Sequence, residues 1–348
     1  MRVVKIMFII MILIMLPFAL CTGGAQEKEV ITWVGQCQFP AGSIEYDAFK
    51  KACDLINLQS AGRLVIKPNS AGSIVAATKQ FDAVDSGTLD FALDTSAYWR
   101  DKWLVAPLFD MQIAGMSAAE HYLWFLEGGG AELAREMVGD KYNVYITKAA
   151  FLFPPEIFLS TVKPINSISD IKGMKIRTAG DDGEVFSKMG ASLTMIPGGE
   201  LYEAMSRGTI DAFQFMSPAG DTSIGLHEVV KYLYLSPVRQ PCSMSMVIVN
   251  KSKWEKLPVD LQEVVQTSFL SEAWHFYGRV AQADAEAIQK YQAKGVKIGH
   301  PPKEVENAME KLAGEMYKER SAEDPFYAKV YESKRKWKEM IDSVYNKL

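Results

Sequence analysis

Apolar residues recur along this chain first in short runs and then at helical spacing, and the two patterns alternate from Val30 onward. Residues 30–34 form one compact apolar run, and residues 64–66 form the next. Between them, Ser43 is a good N-cap for a helix whose apolar residues share one face. Strand, helix and strand in succession, joined by short links, predict an α/β fold in which helices cover the sheet.

A second helix is predicted to run from Ile74 to Gly87, and the pattern at its end is repeated later in the chain. Segments 82–92 and 203–213 both contain a helix end, Gly-Thr, an apolar residue, Asp and the start of a strand. Gly87 and Gly208 suit the left-handed residue that follows a helix, because glycine adopts that conformation without steric cost. The repeat predicts that both halves use the same βαβ architecture, and chance use of a common connection is the alternative.

The rest of the chain predicts how the two halves are joined. Residues 174–177 and 193–196 read as strands of the second half, and residues 246–249 form an apolar strand that returns to the first. Pro258 opens a long helical stretch. No low-complexity linker separates the halves, so we expect short strands to cross between them and form a hinge. The predicted divisions are a signal peptide (1–25), the first lobe (26–150), the second lobe (151–240), the return to the first lobe with a linking helix (241–300) and C-terminal helices (301–348).

Two apolar stripes predict the C-terminal helices. The first runs from Val305 to Met316, and the second follows Asp324-Pro325 and includes Trp337. We expect both helices to pack on the body of the same chain. The alternative is that they form a dimer contact, so the sequence predicts a monomer or a homodimer.

The N-terminus predicts export. Arg2 and Lys5 precede an apolar run over residues 6–20, and small residues follow up to Ala25. This order is typical of a secretory signal, and the run is shorter than the roughly 20 residues of a spanning helix. Cleavage after Ala25 would release a periplasmic protein. Lipid attachment at Cys21 is the less favoured alternative, because the residue before that cysteine is not small.

Composition narrows the function further. The formal net charge is −4, and this mild acidity argues against a nucleic-acid partner. Cys37, Cys53 and Cys242 follow the signal segment in an odd number and without a Cys-x-x-Cys spacing. Buried thiols are the favoured interpretation, and one disulfide stays possible.

Motifs for catalysis are missing from the sequence. The chain has four histidines and 17 methionines, with neither a His-Glu-x-x-His motif nor a Gly-x-Ser-x-Gly motif. His121 follows a capping box formed by Ser117 and Glu120, so a role in helix packing is favoured over catalysis. These features predict a binding protein. An exported hydrolase is the remote alternative.

Arg177 is the first residue that indicates a ligand. It ends a predicted strand, and ligands of open α/β sheets bind beyond the carboxyl ends of the strands. Its planar guanidinium can hold a carboxylate through two parallel hydrogen bonds. The alternative is a surface salt bridge to Asp181 or Asp182.

Several segments, in consistent order over most of the chain, resemble the substrate-binding proteins of TRAP transporters, the DctP-like family. The matching segments are Ile171–Arg177, Gly190–Ser192, Pro197–Tyr202, Arg207–Ala212, Ser60–Arg63, Ser70–Ile74, Gly87–Asp90, Tyr98-Trp99, Gly128–Gly130 and Asn250–Pro258. The Tyr-Trp, triple-glycine and Pro-Gly-Gly-Glu segments are most similar to the branch that binds 2-oxo and 2-hydroxy monocarboxylates. The resemblance implies a two-lobed α/β fold like that of periplasmic binding proteins, with a hinge, a long linking helix and C-terminal helices.

The resemblance also implies the ligand-binding residues, which are Arg177, Tyr98, Glu156, Phe215 and Gln240. Arg177 is expected to hold the carboxylate and Tyr98 to offer its hydroxyl. Three segments depart from the family pattern. The family's Glu-Trp pair corresponds to Gln214-Phe215, its glutamine corresponds to Glu156, and its Pro-Gly-Trp-His-Glu-Pro stretch corresponds to residues 237–241.

In this branch a bound cation is expected to bridge the protein to the substrate carboxylate. The resemblance then implies that Glu156, Gln214 and the backbone carbonyl of Phe215 hold Na⁺ or Ca²⁺, since hard cations accept all three kinds of oxygen. The alternative is a metal-free site in which Arg177, Tyr98 and Gln240 hold the ligand. No organic cofactor is implied.

The sequence therefore predicts an extracytoplasmic receptor that delivers a small organic acid to TRAP membrane subunits. The alternative is a ligand receptor for a sensor kinase, and the sequence does not distinguish that role from a role in transport.

Overall fold

A computed structural model describes residues 30–178 and 180–345. The predicted signal peptide and the lipid site at Cys21 lie outside these residues. Within them, no helix is both long enough and apolar enough to cross a bilayer.

The strands and helices alternate as the sequence predicts. The strands are β1 (Ile31–Cys37), β2 (Leu64–Asn69), β3 (Phe91–Asp94), β4 (Val144–Phe153), β5 (Leu159–Thr161), β6 (Lys175–Arg177), β7 (Ser192–Thr194), β8 (Ala212–Phe213), β9 (Tyr232–Tyr234), β10 (Ser243–Asn250) and β11 (Lys297–Gly299). The α-helices are α1 (Ile44–Gln59), α2 (Gln80–Ser86), α3 (Ala118–Glu127), α4 (Gly130–Val138), α5 (Asp181–Lys188), α6 (Leu201–Ser206), α7 (Pro218–Ser223), α8 (Lys251–Lys256), α9 (Val259–Ala293), α10 (Lys303–Glu323) and α11 (Pro325–Tyr345).

Two sheets form the centres of two lobes. The first has the strand order β2-β1-β3-β10-β4, and the second has the order β11-β9-β5-β8-β6-β7. In the first sheet β1 is parallel to β2 and β3, while β10 is antiparallel to both of its neighbours. The predicted return of residues 246–249 to the first half is therefore confirmed. The boundaries assigned to the lobes stay a prediction.

The chain crosses between the sheets after β4 and again before β10. The long helix α9 packs on β4 and α1 of the first lobe and also on α7 of the second. Phe269 and Phe276 of α9 fill the core of the first lobe, where Phe276 stacks on Phe151 of β4 at 5.4 Å. The helix that the sequence predicts after Pro258 thus connects the two lobes.

The C-terminal helices pack on the same chain. Helix α10 contacts α5 of the second lobe, and α11 contacts α3 and α4 of the first. Trp337 donates a hydrogen bond of 3.1 Å from its indole to the carbonyl of Glu120. The apolar stripes that motivated the dimer alternative are largely covered within one chain.

Local details confirm the repeated turn and correct one helix start. Gly87 and Gly208 have φ values of +79° and +69°, in the left-handed region that glycine tolerates. The second helix begins at Gln80, however, and not at Ile74. The amides of Ile74 and Val75 instead donate to the side-chain oxygen of Gln36 at 3.0 and 3.2 Å, which ties this segment to β1.

His121 and the three cysteines are structural. The capping box of Ser117 and Glu120 is present, and the buried ring of His121 lies 3.0 Å from the carbonyl of Phe109. Burial lowers the pKa of this imidazole well below its ordinary value. Cys37, Cys53 and Cys242 are buried free thiols, as the favoured interpretation expected.

Candidate ligand-binding cleft

A cavity lies between the two lobes, at the carboxyl ends of strands from both sheets. Residues that follow β1, β3 and β4 line it from the first lobe, and residues at the ends of β6 and β8 line it from the second. This is where open α/β sheets bind their ligands. The cavity has a volume of about 110 Å³. It is much smaller than the roughly 300–1,000 Å³ that drug-sized ligands occupy, so it suits a molecule of few atoms.

Arg177 is held in place by the protein but retains free donors. Its side chain is buried, its Nε donates to the carbonyl of Ile196 at 2.9 Å, and its Nη1 donates to the carbonyl of Gln214 at 2.7 Å. A guanidinium has five N–H donors, and these bonds use two of them. Among the described residues, nothing accepts a hydrogen bond from Nη2.

The alternative salt bridge for Arg177 is not formed. Asp181 pairs with Arg320 at 2.8 Å, and Asp182 pairs with Arg239 at 2.6 Å. Within residues 30–178 and 180–345, Arg177 makes no ion pair. A buried arginine that lacks a carboxylate partner is costly unless a ligand supplies one.

Phe215 explains why glycine follows Pro197. The guanidinium of Arg177 lies over the Phe215 ring, 4.9 Å from its centre. The tip of the ring is packed against Gly198, where an added methyl group would come within 2.1 Å of a ring carbon. The Pro-Gly-Gly-Glu segment therefore supports Phe215, and Phe215 supports the guanidinium.

Tyr98 lines the cavity from the first lobe. It sits on a single helical turn after β3 that Thr95 caps, and the neighbouring Trp99 is anchored by a 2.8 Å hydrogen bond from its indole to Asp94. Burial raises the pKa of Tyr98, so its hydroxyl stays protonated and able to donate. That hydroxyl has no hydrogen-bond partner in the described part of the chain.

Glu156 and Gln214 also line the cavity. A hydrogen bond to a neighbouring side chain orients each of them. Glu156 accepts a 2.8 Å hydrogen bond at Oε2 from Arg239. Burial raises the pKa of Glu156 to about 7, and the charge of Arg239 opposes that rise. Gln214 donates from Nε2 to Asp182 at 2.9 Å. Because an ionised carboxylate only accepts, Asp182 fixes the amide so that Oε1 is the free atom.

These free oxygens fit a hard cation. Oε1 of Glu156 and Oε1 of Gln214 accept no hydrogen bond from the described residues, and both side chains reach the cavity wall. The carboxylate and carbonyl oxygens of an organic acid are also acceptors, so they can approach these two atoms only with a cation or a proton donor in between. Carboxylate, amide and backbone carbonyl oxygens are the ligands that Na⁺ and Ca²⁺ take.

Gln240 lies away from the cavity wall. It is fully buried, and its Oε1 accepts a 2.8 Å hydrogen bond from Nη1 of Arg239. Gln240 is not among the residues that line the cavity, and its direct contact with a ligand stays a prediction.

Sequence reasoning missed Arg239 as part of the site and named Asp182 only as a possible salt-bridge partner of Arg177. Arg239 is buried and pairs with both Glu156 and Asp182, which lie 83 and 57 positions earlier in the chain. Contacts at such separations cannot be seen from local spacing. The one available indication was a charged residue between the two prolines of segment 237–241.

The lobes also contact each other at the rim of the cleft. Arg100, which follows the Tyr98 turn in the first lobe, lies 3.2 Å from Glu184 and 3.4 Å from Asp181 at the start of α5. Since α5 belongs to the second lobe, these ion pairs join the two lobes in a closed arrangement.

Comparisons with known proteins identify the family. Residues 35–324 match the model of the bacterial extracellular solute-binding proteins, family 7, known as DctP. The chain belongs to this family. Its members are receptors for solutes and not enzymes, which agrees with the prediction from the missing catalytic motifs.

A monocarboxylate 2-oxoacid-binding periplasmic protein of Nostoc sp. is 28% identical over 292 residues, covering 84% of this chain and 79% of that protein. A TRAP periplasmic solute-binding protein of Pseudoalteromonas atlantica, solved with sodium and pyruvate, has a TM-score of 0.85 at 31% identity, covering 90% of this chain and 96% of that one. A TRAP protein of Colwellia psychrerythraea, solved with calcium and pyruvate, has a TM-score of 0.86 at 30% identity, with coverage of 91% and 97%. The two-lobed fold predicted from the sequence is confirmed.

Proposed function

We propose that this chain is the solute receptor of a TRAP-type transporter, and that it binds a small 2-oxo or 2-hydroxy monocarboxylate through Arg177. The observation that carries the proposal is the buried guanidinium of Arg177, which lines an interlobe cavity and keeps three of its five N–H donors free of partners among the described residues. A carboxylate is the group that best uses parallel donors of this kind. Tyr98 provides one further donor for an oxygen at C2 of the acid.

The cavity favours an acid with one carboxylate. Its volume of about 110 Å³ leaves little room beyond a short carbon chain. Apolar side chains, among them Phe39, Phe153 and Val280, form much of the remaining wall. The carboxylate of Glu156 would repel a second carboxylate, and the nearby guanidinium of Arg239 is already paired. The two relatives solved with pyruvate and the 2-oxoacid-binding relative support this ligand class.

A cation completes the proposed site. Glu156, Gln214 and the carbonyl of Phe215 would hold Na⁺ or Ca²⁺, and the two relatives solved with pyruvate contain one or the other ion. When bound, the ion supplies positive charge between acceptor oxygens that would otherwise repel one another. Asp182 and Arg239 orient the two side chains that offer those oxygens.

The proposed partners follow from the same assignment. Family membership supports a periplasmic receptor that delivers its acid to the membrane subunits of the transporter. Export through the N-terminal segment and the monomeric or dimeric state are parts of the proposal that rest on the sequence alone.

The test is a calorimetric titration of the mature protein with pyruvate, lactate, a dicarboxylate such as succinate, and an uncharged analogue. We expect one pyruvate or lactate molecule per chain, much weaker binding of the dicarboxylate and no binding of the uncharged compound. Closure of the lobes should lower the radius of gyration in solution scattering. Chromatography of the released acid should recover it unchanged.

Two results would reject the proposal. Conversion of the bound acid to a product would mean that the protein is an enzyme. Tighter binding of the dicarboxylate than of every monocarboxylate would contradict the proposed ligand class, and tighter binding of the uncharged analogue would mean that Arg177 does not select the ligand.

A further inference from the structure

We infer that Glu45 determines which acids this receptor binds. Its carboxylate accepts a hydrogen bond from a hydroxyl or ammonium group on the chain of the acid, and it repels a second carboxylate. The inference rests on the proposed function, because it concerns the other end of the acid that Arg177 holds.

Glu45 reaches the cavity from the lobe opposite Arg177. It lies in the first turn of α1, which Ser43 caps by accepting a 3.1 Å hydrogen bond from the amide of Tyr46. The side chain of Glu45 lines the cavity, and the residue is only 3% exposed. Arg177 ends β6 in the second lobe. A cationic group and an anionic group therefore enter the same cavity from opposite lobes.

The carboxylate of Glu45 lacks a donor on one oxygen. Its buried Oε2 accepts no hydrogen bond from residues 30–178 or 180–345, and no basic side chain in these ranges pairs with it. Burial raises the pKa of Glu45 to about 6, and the carboxylate of Asp284 acts in the same direction. The group is still ionised at pH 7.5, where it can only accept hydrogen bonds.

The helix position of Glu45 does not replace that donor. A negative charge in the first turn is stabilised by the helix dipole, which helps Glu45 to ionise. The dipole nevertheless leaves Oε2 without a hydrogen bond, and a buried acceptor without a partner is unfavourable. A ligand group that donates to Oε2 removes this cost.

The other carboxylate that lines the cavity from the first lobe is already satisfied. Oδ1 of Asp110 accepts from the hydroxyl of Ser243 and, at 2.8 Å, from the amide of Met244, while Oδ2 accepts from the hydroxyl of Thr95. Glu45 thus differs from Asp110 in having an oxygen to offer to a ligand.

Gln38 adds a second acceptor on the same side of the cavity. Its amide nitrogen donates to the hydroxyl of Ser245, and its buried Oε1 has no partner in the described part of the chain. Glu45 and Gln38 together make this part of the wall rich in acceptors, so it suits a ligand group that donates.

The remaining wall suits a short carbon chain between two polar ends. Phe39 and Phe153 lie with their ring centres 5.4 Å apart, and both line the cavity with Val280. Among the described residues of the wall, Arg177 is the only basic one. A second carboxylate on the ligand would therefore meet Glu45 with no cation to pair with, and like charges placed together are strongly unfavourable.

The experiment compares acids that differ only in the group at the end of the chain, by calorimetric titration at pH 7.5. The short pair is 3-hydroxypyruvate and 2-oxobutyrate, which exchanges a hydroxyl for a methyl group. The longer set is 2,4-dihydroxybutyrate, 4-amino-2-hydroxybutyrate and 2-hydroxyvalerate, which end in a hydroxyl, an ammonium and a methyl group. In at least one set we expect an acid with a donor to bind about tenfold or more tighter than its methyl counterpart, as a hydrogen bond to a charged group implies. The arms with hydroxyl and ammonium show which donor the site prefers.

Two variants assign the preference to Glu45. Glu45→Leu removes the acceptor, and the advantage of the donor acid should disappear. Glu45→Gln removes the charge at nearly constant volume, and 2-hydroxyglutarate should gain about tenfold or more in affinity relative to 2-hydroxyvalerate, because the like-charge repulsion is gone. Asp47→Asn is the matched control, since it removes a carboxylate from the same helix where the side chain is 54% exposed, and it should keep the wild-type order.

The inference is overturned if the methyl acids bind wild type as tightly as the donor acids, which would mean that water satisfies Glu45. It is also overturned if the preference persists in Glu45→Leu, or if 2-hydroxyglutarate gains nothing in Glu45→Gln. If the variants do not fold, the order of the acids in wild type decides. Failure of pyruvate and of every other acid to bind wild type would reject the proposed function, whereas binding of all acids without preference rejects only the role of Glu45.

Discussion

Replacing Arg177 with alanine is expected to weaken pyruvate binding by about 30-fold or more. Truncating one partner of a buried charge pair costs about 2–5 kcal/mol, and each 1.4 kcal/mol corresponds to about tenfold in affinity. The loss is large because the carboxylate would enter a cavity of about 110 Å³ that has no other unpaired guanidinium among its described wall residues. Calorimetric titration of wild type and variant measures the effect.

Two further variants separate recognition from general damage. Arg177→Lys should restore little affinity, because an ammonium lacks the planar fork and cannot stack on Phe215 in the same way. Arg207→Ala removes an arginine from the surface of the same lobe, where its side chain is 71% exposed, and should leave affinity unchanged. An Arg177→Ala protein that binds pyruvate within a few-fold of wild type would remove Arg177 from the site.

Replacing Arg239 with methionine is expected to lower the free energy of unfolding by about 3–5 kcal/mol, the cost of breaking a buried ion pair by removing one partner. The cost is high because Glu156 and Asp182 would both be left without their counter-ion, at sites where burial already raises the pKa of Asp182 to about 6. Urea denaturation followed by circular dichroism gives the difference.

The triple variant Glu156→Gln, Asp182→Asn and Arg239→Met is the matched control. It removes all three charges at nearly constant volume, so no uncompensated charge is left buried, which is the main cost of removing one partner alone. We expect the triple variant to be more stable than Arg239→Met alone. If the single variant unfolds at the wild-type urea midpoint, the three side chains do not form the network described above.

The fold was largely predictable because its indications are local. Ser43 caps α1, as its position in the sequence predicts. Gly87 and Gly208 adopt the left-handed conformation that is expected of a glycine directly after a helix. The start of α2 was not predictable in this way. Ile74 and Val75, which precede it, are held by the side chain of Gln36 from β1, and such a long-range bond leaves no periodic pattern.

The candidate site was predictable only where a residue ends a strand. Arg177 could be identified because β6 ends there, and ligands bind beyond such ends. Glu156, Gln214 and Tyr98 came from the family resemblance, and the structure brings all three to the same cavity as Arg177. Arg239 was not predicted as a site residue, because its role depends on two carboxylates that lie beside it only in the folded chain.

The central claim is that this receptor captures a small monocarboxylate through Arg177, and mass spectrometry of the acid that co-purifies with the protein tests it most directly. The protein is isolated under native conditions, desalted, denatured to release its ligand and analysed together with Arg177→Ala prepared in the same way. We expect one 2-oxo or 2-hydroxy monocarboxylic acid per wild-type chain and none from the variant. Recovery of a sugar acid, a dicarboxylate or an amine from wild type, or of the same acid in equal amount from Arg177→Ala, would contradict the account.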